Sequence, residues 1–378
     1  MNQMTKKTNW RWWICLLLFV ATTINYMDRQ VLSLTWKDYI APEFHWTDSD
    51  YGTITGFFSI FYAVASLFAG RFVDWMGTKK GYLWAIFVWS VGACMHAGCG
   101  WATMHIEGIE SIEALKALEA GSQVALAVAT VSVWLFLVCR AILALGEAGN
   151  FPAAIKVTAE YFPKKDRAYA TSLFNAGSSV GALAAPLSIP ILADAFGWEM
   201  AFIIIGVLGF AWMFFWIYMY EKPQQSKHVS AAELEYILQD EKNSAAEEKK
   251  DVEKKEKTIP FFQCFRYRQT WSFISGKFFT DGVWWFYLFW APAYFSECGY
   301  SMQTTTGKML VFVLYLIVTI VSIGGGYLPK LFVEKRGMEP YAGRMLAMLI
   351  FAFFPLFALF AQPLQGISVW FPAIIIGL

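Results

Sequence analysis

Nine apolar runs, each long enough to cross a lipid bilayer, restrict what this chain can fold into more than any other feature. They lie at about 13–35, 50–73, 81–104, 123–151, 168–193, 200–220, 271–296, 305–327 and 343–362. A span takes roughly 20 mostly apolar residues. In lipid the backbone polar groups have to be satisfied within each segment, so the runs read as α-helices. A tenth run starts near Gly366 and reaches Leu378 after about a dozen residues, fewer than a span requires. The sequence therefore reads as ending inside a helix. With 57% hydrophobic and only 16% charged residues, the composition fits no ordinary soluble domain. The expected fold class is an all-α polytopic membrane protein.

The N-terminus, MNQMTKKTNWRWW, is basic and then apolar. Its apolar run outlasts a signal-peptide core and lacks a small-residue cleavage site, so it is expected to be kept as the first span. Lys and Arg in the connections set the orientation. With the N-terminus cytoplasmic, the inner segments hold Lys6, Lys7, Arg11, Arg71, Lys79, Lys80, Lys156, Lys164, Lys165 and Arg167, the basic residues of 222–270, and Lys330, Lys335, Arg336 and Arg344, and the outer loops only Lys37, Lys116 and Lys308. The net charge of +1 is split between the two membrane sides, so no nucleic-acid partner is expected. None of the six cysteines forms a metal-type CxxC, and the default reading is buried small hydrophobes. The four histidines are too scattered for a metal site, and none is expected.

One long hydrophilic stretch, 222–270, divides the chain into a unit at 1–221 with six spans, a cytoplasmic linker, and a unit at 271–378 with three spans and part of a fourth. Ser230 and Glu233 have the spacing of a capping box opening a short helix; EEKKDVEKKEK after it reads as a solvated charge run. On the other side, 105–122 reads as a helical extension lying on the outer surface.

An ionised side chain at mid-bilayer costs about 2.5 to 3.5 kcal/mol, so such residues face a bundle interior and have a partner or a task. INYMDRQ in the first run carries Asp28 and Arg29 side by side, and VCRAILALGEAGNFP in the fourth carries Arg140 and Glu147 two helical turns apart on one face. Two readings are open. Two fixed cations suit a carboxylate substrate while the acids carry protons, or each acid statically neutralises an arginine. In the fifth run Asn175 and Ser178 sit one turn apart, able to bond hydroxyls, and Gly177 with Gly181 form a GxxxG contact. In the seventh, Lys277 and Asp281 are spaced for an ion pair, and Trp284, Trp285, Tyr287 and Trp290 suit either sugar stacking or lipid contact. No nucleophile with a nearby base, HExxH or phosphate-binding glycine loop is found, which argues against an enzyme or a primary pump.

Between the second and third runs lies GRFVDWMGTKK, with Gly70, Asp74, Gly77, Lys79 and Lys80. It resembles the loop signature of the major facilitator superfamily, and Gly77 suits a tight turn while Asp74 suits a releasable contact during gating. The counterpart GGYLPKLFVEKRGMEP is degraded, with Pro329 and Lys330 near where the acid would stand. At NYMDRQ, RAILALGEAGNFPAA, YFPKKDRAYATSLFNAGSSVGA, GWEMAFII and RYRQTWSFISGKFFTDGVWWFYLFWAP the chain is similar to the anion:cation symporter family, and within it to bacterial hexuronate transporters. The resemblance implies twelve spans in two bundles related by a pseudo-two-fold axis, the second incomplete here. It also implies that Arg29 and Arg140 bind the sugar-acid carboxylate, that Tyr26, Tyr62, Asn175 and Ser178 line the sugar site, and that Asp28 and Glu147 couple proton to substrate. The expected function is proton-driven uptake of a hexuronate, with the proton as coupling ion and no other cofactor, by a monomer in the bacterial inner membrane. The alternatives are the same fold moving galactonate, glycerate or phthalate, or a sensor that binds without transporting.

Overall fold

The computed structural model describes residues 8–240 and 261–378. All nine runs form helices, and no strand occurs among the described residues. In chain order they are α1 (Trp10–Thr35), α2 (Asp48–Met76), α3 (Thr78–Ala97) with its bent continuation α4 (Cys99–Glu107), α5 (Gln123–Glu147) running on into α6 (Asn150–Tyr161), α7 (Lys164–Phe196) and α8 (Trp198–Met219). After a short helix α9 (Ala231–Ile237) come α10 (Arg268–Glu297), α11 (Thr305–Arg336), α12 (Pro340–Ala352), α13 (Ala361–Gln365) and α14 (Trp370–Gly377), which holds the tenth apolar run. Six helical stretches among the described residues are long and apolar enough to cross a membrane, and a seventh if α3 and α4, bent by 49°, count as one span. α1 and α10, which carry charges within their apolar runs, are not among them. Large apolar side chains such as Leu67, Phe68, Trp134 and Phe214 are exposed, as lipid-facing positions are.

Local chemistry sets the element ends. Thr47 and Asp50 form a full capping box at the start of α2. Gly77, at φ 78°, makes the turn between α2 and α3, a conformation that costs a side-chain-bearing residue. Small residues permit close packing: a Cβ on Gly177 would lie 2.4 Å from the Phe19 carbonyl oxygen, and one on Gly181 2.5 Å from that of Thr23. The GxxxG pair thus brings α7 against α1. α7 runs unbroken through Pro186 and Pro190.

Two expectations need correction. The 105–122 stretch lies largely on the surface as expected but is not one continuous helix: α4 ends at Glu107 and a separate short helix covers Ile112–Lys116, with Leu115 fully buried. Its Leu115 carbonyl contacts the His45 ring at 3.1 Å, and Lys116 pairs with Glu43 at 3.6 Å. At α9, Ser230 caps the Glu233 amide, but the Glu233 carboxylate does not return to Ser230 as in a capping box. It accepts from Thr8 Oγ1 (2.5 Å), from the backbone amides of Trp10 and Arg11 (3.2 Å each) and from Arg11 Nη1 (3.2 Å). Free amides and the positive end of the α1 dipole make the helix start a better site for an anion than the local amide. The charge run after α9 lies outside the described residues.

Glu233 therefore clamps the linker to the start of α1. Glu233→Ala is expected to lower stability by about 3 kcal/mol, since it strands a buried arginine and two amides; thermal unfolding in detergent checks this, with Glu233→Gln losing less.

Candidate functional site

The four charges singled out in the sequence converge on one buried cluster. Arg29 donates from Nε (2.9 Å) and Nη2 (2.5 Å) to Glu147 Oε2, joining α1 to α5. Asp28 and Arg140 lie close enough to interact electrostatically with that pair and with each other. All four side chains are at most 2% exposed. Among the described residues neither carboxylate oxygen of Asp28, nor Nε and Nη1 of Arg140, nor Oε1 of Glu147 has a hydrogen-bond partner. One ion pair is thus made, and one acid and one guanidinium are held in reserve, at a desolvation cost of several kcal/mol per ion (~). Glycine packing creates this geometry: a Cβ on Gly146 would come 2.3 Å from the Trp89 amide nitrogen, which seats the end of α5 against α3.

An aromatic wall separates the cluster from open space. The Arg29 Cζ lies 4.6 Å from the Trp285 ring, 4.7 Å from Tyr62, 5.2 Å from Tyr26 and 6.0 Å from Phe58. The Arg140 Cζ lies 5.4 Å from Phe58. Trp285 belongs to α10, so the second set of helices touches the charge cluster directly; sequence inspection had marked this tryptophan without separating it from lipid-facing neighbours. Beyond the wall is a cavity of about 280 Å³ lined by Tyr26, Ser178, Ser179, Ala182, Trp284, Tyr315, Val318, Thr319 and Ser322. None of the four charged residues lines this cavity, so the charge cluster and the cavity are not one chamber. Tyr26 and Ser178 face the cavity, whereas Arg29 and Arg140 sit behind it and Tyr62 covers Arg29. Asn175 is exposed and does not line this cavity; its carbonyl accepts from Ser178 Oγ at 2.7 Å. Trp284, read in the sequence as suiting either sugar stacking or lipid contact, lines the cavity; Ser179, Tyr315, Thr319 and Ser322 were not foreseen there, because hydroxyls and aromatics at helical spacing carry no distinguishing pattern.

The end of the molecule bearing residues 36–48 is sealed between the two sets of helices. Lys37 bridges Asp48 (2.7 Å) and Glu297 (2.9 Å), and Lys308 pairs with Asp194 (2.6 Å), which also accepts from Tyr39. Asp38 accepts from Ser296 Oγ and the Met302 amide. Beneath these, Trp36 stacks on Tyr51 with Trp290 edge-on to both, and Tyr51 donates to the Phe289 carbonyl at 2.8 Å.

At the opposite end Asp74 pairs with Lys156 of α6 at 2.7 Å, close to the turn at Gly77. Lys79 accepts from Trp216 Nε1 through its backbone, Lys80 is exposed, and Gly70 has open space where a Cβ would stand. The expected pair Lys277–Asp281 forms at 2.8 Å on an exposed face of α10. Among the described residues no cluster of three or more His, Cys, Asp or Glu could hold a metal.

A multi-helix membrane bundle with a buried charge cluster beside a polar cavity, closed at one end, has the architecture of a membrane carrier. The chain belongs to the Major Facilitator Superfamily, whose family model matches residues 18–378. It is 28% identical over 346 residues to the hexuronate transporter of Escherichia coli (strain K12), covering 91% of this chain and 71% of that protein. It is 27% identical over 344 residues to the galacturonate transporter of Dickeya chrysanthemi, covering 89% and 87%. Its fold matches a bacterial homolog of the human lysosomal transporter Spinster in an inward-facing, occupied conformation, with a TM-score of 0.59, 18% identity, and 98% and 73% coverage. It is a multi-pass membrane protein of a transporter family and not an enzyme.

Proposed function

We propose that this protein is a proton-coupled importer of a hexuronate that works by alternating access as a monomer in the bacterial inner membrane, with its N-terminus cytoplasmic. The observation that carries the reading is the buried cluster in which Arg29 holds Glu147 while Arg140 and Asp28 have no hydrogen-bond partner among the described residues. Fixed guanidinium groups suit a carboxylate. The hydroxyls of Ser178, Ser179, Thr319 and Ser322 with the Trp284 ring suit a polyhydroxylated acid better than an aromatic diacid such as phthalate. The relatives named for hexuronate and galacturonate support the same class.

In the proposed cycle a proton taken up from the outside neutralises Glu147, which loosens Arg29 for the anion; Arg140 supplies the second cation. With the charges matched, the units at 1–221 and 271–378 rock about the site, the linker at 222–270 joining them. The sealed end then corresponds to the outside, and the ion pairs of Lys37 and Lys308 hold the inward-facing state. The exchange of Asp74 between Lys156 and other partners accompanies the opposite state. Uptake of labelled galacturonate into proteoliposomes under an inward proton gradient tests this. Accumulation that follows the gradient supports it; gradient-independent uptake removes the coupling, and absence of both uptake and binding removes the substrate class.

A further inference from the structure

Arg140 lacks acceptors, and a histidine on the neighbouring helix lacks a donor. His96, on α3, is fully buried. Its Nδ1 lies 2.7 Å from the Gly92 carbonyl oxygen. A carbonyl only accepts, so Nδ1 carries the proton and Nε2 of the neutral ring is left as an acceptor. Nε2 has no partner among the described residues. The ring is held in place by Phe202 of α8, stacked at 4.7 Å, and by Phe136 of α5, edge-on at 5.4 Å.

The α3–α4 pair runs antiparallel to α5. A Cβ on Gly92 would come 2.7 Å from the Leu143 nitrogen, and Cys99 Sγ lies 3.7 Å from Cys139 Sγ. That register sets His96 against the turn that carries Arg140, one turn beyond Phe136 on the same face of α5. The two side chains interact electrostatically. Two buried donors on Arg140 and one buried acceptor on His96 thus stand unpaired on facing turns of α5 and α3, and buried polar groups are rarely left that way.

We propose that His96 is a positioning residue for Arg140: its Nε2 accepts a hydrogen bond from the guanidinium, directly or through one ordered water, and aims the guanidinium at the anion. A carboxylate in this place would orient Arg140 and also neutralise it. A neutral imidazole orients the group and leaves its full charge for the substrate. The inference rests on the reading of Arg140 as an anion-binding group.

The test uses three variants of the full chain, purified in detergent and titrated with galacturonate, with uptake kinetics in proteoliposomes alongside. His96→Phe keeps the stack on Phe202 without an acceptor. His96→Asn keeps a donor for the Gly92 carbonyl but does not reach the Nε2 position, and His96→Gln puts an amide oxygen there. His96→Phe and His96→Asn are expected to raise Kd and KM about tenfold with Vmax little changed, as loss of a hydrogen bond to a charged group does, and His96→Gln to recover most of the affinity. A purely structural histidine would instead lower the melting temperature and Vmax and leave KM alone, and that pattern overturns the proposal. So does wild-type affinity in His96→Asn, or a His96→Gln no better than His96→Asn. Arg140→Ala in the same titration separates the two levels: if it binds normally the anion is held elsewhere and the reading of Arg140 as an anion-binding group is wrong, and if it loses binding while the His96 variants keep theirs, only the role of His96 falls.

Discussion

Replacing Arg140 by alanine is expected to weaken hexuronate binding at least about thirtyfold and to leave the fold intact, whereas replacing Arg29 by alanine should damage the fold first. The difference lies in the partners. Arg29 is committed to Glu147 through two hydrogen bonds, and removing it strands a buried carboxylate, at a cost of about 3 to 5 kcal/mol. Arg140 has Nε and Nη1 buried with no acceptor among the described residues, so its removal strands no carboxylate bonded to it and relieves the burial of a charge. Truncating one side of a desolvated charge pair costs about 2 to 5 kcal/mol of binding, or roughly thirtyfold to several thousandfold in Kd. Calorimetric titration with galacturonate, beside thermal unfolding of both variants, checks the pair of outcomes. Arg140→Lys keeps the charge without the planar fork and should fall in between. Wild-type affinity in Arg140→Ala would show that the anion is held elsewhere.

The charges were legible in the sequence because lipid makes them conspicuous: Asp28, Arg29, Arg140 and Glu147 each interrupt an apolar run. Their pairing was not. Arg140 and Glu147 share a face of α5, which invites a reading of them as one unit, yet Glu147 bonds to Arg29 across to α1. The choice is made by helix rotation, set where Gly146 meets α3 and where Gly177 and Gly181 meet α1, and no single helix encodes it. The aromatics of α10 show the same limit. Trp284 lines the cavity, Trp285 covers Arg29 and Trp290 packs on Trp36 and Tyr51, three different tasks within seven residues of similar appearance. Glu233 was identified as a cap, and its carboxylate does cap a helix. The helix is α1, more than two hundred residues away in sequence, because the exposed amides there outcompete the local one.

The second large effect is expected from Glu147→Gln, which should retain exchange of labelled hexuronate across the membrane and lose accumulation against a gradient. In the structure Glu147 accepts both Arg29 bonds on Oε2, and its Oε1 is buried without a partner among the described residues. Protonation of that carboxylate would cancel the charge that holds Arg29 and free the guanidinium for the anion. Glutamine has nearly the same shape and still accepts through its amide oxygen, so it imitates the protonated acid permanently. Substrate then binds whether or not a proton is present, and the empty carrier no longer has to be deprotonated before it returns. For one proton per anion, each pH unit across the membrane is worth about 1.4 kcal/mol, or about tenfold accumulation. The variant should show none of this, with counterflow within a few-fold of the unmodified protein. If Glu147→Gln still concentrates substrate, Asp28 becomes the proton carrier, and Asp28→Asn should then show the uncoupled pattern. If it loses counterflow as well, the carboxylate serves to hold Arg29 in place, and the coupling assigned to it falls.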